Sequence, residues 1–177
     1  MESRKNGSLR RYFSGIAEHT FLMQLGVADP PLVDYLSDML VRFIRCEAIF
    51  RVRDLAGKRL HEIAEMMMEA QARVGDAKRE VHRHVGDFTL FWTGVYPEAM
   101  KTLQESASKD QLLDYRAEGK KAYWIASTIE SSKVEAAPGE VLERLSQQFE
   151  LCAYGLREVR RQWEDGEQGD SIQPILL

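Results

Sequence analysis

Cysteine is scarce in this sequence, and the two present, Cys46 and Cys152, lie far apart on apolar helical stripes. A free thiol in such a position behaves as a small hydrophobe. Neither cysteine suggests a disulfide scaffold, and no CxxC pair is present for redox or zinc chemistry. Long apolar runs are missing too: no stretch approaches the roughly 18 residues of a membrane span. The N-terminal "MESRKNGSLRRYF" lacks the apolar core and cleavage site of a signal peptide, so the expected location is cytoplasmic.

An excess of positive charge is also lacking. The formal net charge of −4 argues against a general nucleic-acid binder, although Arg42, Arg45, Arg51, Arg53, Lys58 and Arg59 crowd into one stretch. That stretch is expected to be the solvated side of two consecutive helices and their junction. There is no alternating strand pattern, no GxSxG, no phosphate-binding glycine loop and no HExxH, since "HEIAE" from His61 lacks the second histidine.

What remains is an ordinary globular composition, 44% hydrophobic and 29% charged, in a chain long enough for one substantial core. The 3,4 spacing of apolar residues runs through almost every segment, and it predicts an all-α protein. The expected architecture is a single-domain irregular bundle of about five long helices plus one short helix over residues 1–164, followed by a flexible tail over 165–177.

Helix boundaries are marked by capping and breaking residues. Ser8 is expected to cap a first helix that stops at Gly26, and Asp29-Pro30-Pro31 opens a second that continues to Phe50. Leu60, Ile63, Met67, Ala70 and Val74 mark a third, broken at Gly75-Asp76. Another helix then runs to Gly94, with "PEAMKTLQES" as the short one. Residues 109–129 are expected to be helical, with Leu112 and Tyr115 turned inward. After the loop "SSKVEAAPGE", one long helix over 139–164 carries Leu142, Leu145, Phe149, Cys152, Leu156, Val159 and Trp163 at alternating threes and fours, a helix-pairing seam.

Polar residues on these stripes are the candidates for chemistry, because burying them is costly unless they are paired or ligated. His19 falls on the stripe Leu9, Tyr12, Ile16, Met23; Glu47 on Val33, Leu36, Leu40, Phe43, Phe50; and His84 on Val81, Phe88, Phe91. His82 lies far around the helix from His84 and is expected to be more exposed. A turn at Gly75 brings Glu65 opposite His84, so a buried hydrogen bond between them is the simplest expectation. Two histidines with carboxylates are also a ligand set for iron, zinc or manganese, and a divalent metal held by His84, Glu65, Glu47 and His19 is the alternative. A tight hairpin between the first two helices would offset residues 19 and 47 by about 12 residues, or roughly 18 Å, which counts against a shared site.

The aromatic run after His84 points in every direction around its helix and must be covered on all sides. A central core helix, a dimer interface through Phe91, Trp92, Tyr96, Leu156 and Trp163, and an apolar pocket walled by Met66, Met67 and Met68 all meet that need. The functional expectation is a non-enzymatic interaction or scaffold protein that binds itself or another protein through apolar helix faces. A metal-binding bundle with oxidative or hydrolytic activity stands second.

Overall fold

A computed structural model of the chain describes residues 2–44 and 52–167, with side chains over 7–44 and 52–166. Among the described residues the fold is all-α, with eight helices and no strand. Helix α1 (Glu2–Glu18) runs without a break into a π-helical turn (His19–Gln24), and α2 spans Pro30–Phe43. These are followed by α3 (Ile63–Gln71), α4 (Gly75–Gly94), α5 (Pro97–Ser106), α6 (Tyr115–Thr128), α7 (Gly139–Gln147) and α8 (Phe149–Glu167).

Several boundaries follow local chemistry. Gly26 stops the preceding helix with φ of +66°, whereas α3 already ends at Gln71 and Gly75, at φ +59°, stands at the start of α4; glycine adopts this conformation without steric cost. The Asp29 side chain accepts the Leu32 N–H at 3.3 Å, and the two prolines occupy the first turn of α2. Between α2 and α3, Val52–Leu60 folds into a tight turn closed by a bridge between Arg53 and Arg59. The start of α3 is capped from a distance: buried Asp110 accepts the Ile63 and Ala64 N–H groups at 2.8 and 2.9 Å and the Tyr115 hydroxyl at 2.7 Å. Asp110→Ala strands these donors and is expected to cost about 1–2 kcal/mol, read as a lower urea midpoint at an unchanged slope.

Helix α4 is the centre of the molecule, packed against α2, α3, α5, α6 and α8. From His84 to Phe91 every residue is buried, which is why its aromatic run faces all directions. Helix α6 lies antiparallel to α4 at close range because glycine stands at both contact points. A methyl group at Gly86 would sit 2.6 Å from the Tyr123 ring, and one at Gly119 would sit 2.2 Å from Thr89 Oγ1.

Four expectations need correction. First, α1 begins at Glu2, before Ser8, and its inward stripe is Phe13, Ala17 and Phe21. The stripe through Leu9, Tyr12, His19 and Met23 faces solvent, because Phe21 fills the space left by Gly155 and Phe13 meets Trp163 edge to face at 5.1 Å. Second, α6 starts at Tyr115, so Leu112 lies in a turn and is fully exposed. Third, the last long helix is interrupted at Gln148, whose backbone (φ −111°, ψ 27°) leaves the helical region, yet the seam from Leu142 to Val159 stays buried across the break. Fourth, His82 is as buried as His84, at 7% and 5% exposure, since α4 is enclosed on both faces. Glu47 and Cys46 lie outside the described residues, as do 168–177 of the expected tail.

Candidate functional site

The polar centre of the molecule is Asp87, fully buried on α4. The Tyr35 and Tyr123 hydroxyls both donate to its Oδ1, at 2.6 and 2.8 Å. Its Oδ2 faces Arg42 and Arg83, each at 3.2 Å. Arg83 also pairs with Glu80 at 2.8 Å, one turn earlier on α4, and the Arg42 guanidinium lies over the Tyr35 ring at 5.7 Å. One carboxylate thus ties together α2, α4 and α6.

The electrostatics hold Asp87, the two phenols and the two guanidinium groups each in one protonation state. Burial alone would raise the Asp87 pKa, but Arg42, Arg83 and the two phenols together hold it below the usual carboxylate range. Burial first, and then the Asp87 charge, push both Tyr35 and Tyr123 upward. Arg42 and Arg83 are held firmly in the charged form by the same partners.

Tyr35, Arg42, Glu80 and Arg83 of this network form the floor of an open cleft of about 1270 Å³, with Asp87 and Tyr123 buried behind them. One wall comes from α1 and α2, through Arg10, Asp34 and Asp38, and the other from the segment Lys133–Pro138. That second wall is pinned to α4. Asp76 accepts the Ser131 and Ser132 hydroxyls at 2.6 and 2.5 Å, and buried Arg79 donates to the Ile129 and Ala137 carbonyls at 2.9 and 2.5 Å. Arg10 pairs with Asp38 on the opposite wall at 3.0 Å. The lining holds Arg10, Arg42, Arg83 and Lys133 against Asp34, Asp38, Glu80 and Glu135, so the charges balance.

Of the residues singled out from sequence, Glu47 lies outside the described residues, and His19, Glu65 and His84 each have different partners. His19 is exposed on the π turn and meets Gln24 at 3.4 Å. Glu65 takes the Lys109 ammonium at 2.6 Å. The His84 ring stacks on Phe43, with centroids 5.8 Å apart, and borders Phe88. Among the described residues, no three His, Cys, Asp or Glu side chains stand close enough to share a metal ion. The expected docking residues are largely consumed inside the chain. Phe91, Tyr96 and Leu156 are buried in its own core, while Trp92 and Trp163 are half-buried against it. Phe43 of α2 covers Phe91, Arg160 of α8 covers Tyr96, and Phe13 of α1 and Gly94 of α4 meet Trp163 and Leu156.

The polar centre escaped the stripe test because Tyr35, Arg42, Arg83 and Asp87 all fall beside apolar stripes rather than on them. The available signal was the run Glu80, Arg83, Asp87 at helical spacing on an otherwise enclosed helix. Fold and site together define an all-α protein with an open cleft over a buried Asp-Arg-Tyr centre. Compared with family models, curated proteins and solved structures, the chain matches none. No helix among the described residues is long and apolar enough to cross a membrane.

Proposed function

We propose that this chain is a non-enzymatic interaction protein whose cleft receives a polypeptide segment of a partner protein. The observation that carries this is a preformed cleft with both walls pinned, Lys133–Pro138 by Asp76 and Arg79 and the α2 side by Asp87. Rigid walls spare the entropy that ordering a loop would cost on binding. Balanced charges and an open shape suit a mixed-sequence polypeptide better than a compact polyanion. The groups of the polar centre are displaced away from neutral pH, whereas proton-transfer catalysis works best with a group poised near it. Val134 stands fully exposed on the rim, available as an apolar anchor.

Selection of displayed linear peptides on the immobilised chain tests this. Enriched peptides are expected to bind one to one and to lose at least about tenfold in affinity with Val134→Asp or Arg10→Glu, a loss typical of well-placed contacts. Recovery of no binder, or of binders indifferent to both substitutions, contradicts it.

A further inference from the structure

A second pocket of about 390 Å³ opens on the far side of α4, between α3 and α6. His82 lines it although only 7% exposed, and among the described residues no hydrogen bond or ion pair reaches its ring. Glu118 also lines this pocket, and its Oε2 atom is buried without a hydrogen-bond partner. Buried polar groups are nearly always satisfied, so this orphan carboxylate oxygen beside an imidazole without a hydrogen bond points to a ligand at the pocket. Lys78, Lys121, Gln71 and Thr128 complete the polar lining, and Met67, Ile125 and Trp124 supply an apolar wall.

These groups dictate the chemistry of the occupant. Burial, followed by the Lys78 and Lys121 charges, lowers the His82 pKa, so its ring is a neutral imidazole with one donor and one acceptor. A simple carboxylic acid would meet the lysines but set a second negative charge beside Glu118. A simple amine would meet Glu118 but face two ammonium groups. A zwitterion satisfies both sides, and the Met67, Ile125 and Trp124 wall calls for an apolar side chain.

We infer that this pocket is a binding site for a free apolar α-amino acid. Its ammonium pairs with Glu118, its carboxylate meets Lys78, Lys121 and the His82 ring, and its side chain rests on Met67, Ile125 and Trp124. The site is separate from the cleft and independent of the function proposed for it.

Titration calorimetry on the full chain decides the matter with L-phenylalanine as the probe. Saturable one-to-one binding is expected, with a dissociation constant below about 1 mM. N-acetyl-L-phenylalanine, which lacks the ammonium, and L-phenylalaninamide, which lacks the carboxylate, are each expected to bind at least about tenfold more weakly, the loss of one charge-assisted contact. Glu118→Gln is expected to weaken L-phenylalanine similarly with helical circular dichroism unchanged, and His82→Gln to do so if it folds. No saturable heat from L-phenylalanine or L-leucine up to about 10 mM overturns the inference. So does equal binding of either derivative, or a Glu118→Gln variant that binds like the parent.

Discussion

Asp87→Ala is expected to remove about 3–5 kcal/mol of folding stability, the usual cost of deleting one partner from a buried ion pair. The substitution leaves Arg42 and Arg83 facing each other with no counter-charge between them, and it strips Tyr35 and Tyr123 of their common acceptor. A domain of this size has about 5–15 kcal/mol in total, so much of the chain should unfold in urea concentrations that leave the parent intact. Asp87→Asn keeps an acceptor but loses the charge, and should fall between the two. The pH dependence follows from the direction of the Asp87 shift. Its folded pKa is depressed, so its contribution is complete above the unfolded carboxylate value near 4 and drains as pH falls through the lower folded value. Acid unfolding of the parent should therefore steepen below about pH 4, and Asp87→Asn should flatten that dependence.

Gly119→Ala is expected to destabilise the core by about 1–3 kcal/mol or more through overpacking. On an isolated helix the same substitution would gain up to about 1 kcal/mol in helix propensity, so the sign separates the two effects. The added methyl would lie 2.2 Å from Thr89 Oγ1 and 2.7 Å from the Phe149 ring, and Thr89 cannot retreat without losing its bonds to the Val85 and Gly86 carbonyls at 2.8 and 2.9 Å. Thermal unfolding followed by circular dichroism reads the result: a lower Tm is expected, and an unchanged or higher one means that α4 and α6 are not in this close register. Because α6 supplies Tyr123 to the polar centre, the same change should also loosen the cleft floor.

The architecture was largely legible because apolar spacing dominates it. The α2 stripe Val33, Leu36, Leu40, Phe43 and the seam from Leu142 to Val159 are buried as the periodicity dictates. The first helix misled for a physical reason: it carries two apolar stripes, and the choice between Leu9-Tyr12-His19 and Phe13-Ala17-Phe21 is made by Gly155 and Trp163, more than 130 positions away. His82 misled because periodicity assumes an open side to each helix, and α4 has none around it. The expected pairing of Glu65 with His84 took no account of Lys109, which reaches Glu65 from the turn before α6. The Asp87 centre is assembled from residues separated by 52 and 36 positions, a convergence that no local spacing encodes.

The cleft as a binding site for a partner segment is tested most directly by mapping backbone amide NMR shifts as a selected peptide is added. Perturbations are predicted to concentrate on residues 131–138 of the rim and on Asp34, Asp38 and Arg42 across from it, with the outward faces of α1 and α8 unmoved. Shifts confined to Leu9, Tyr12 and Met23 on α1, or to Leu151 and Tyr154 on α8, with the rim silent, would contradict it.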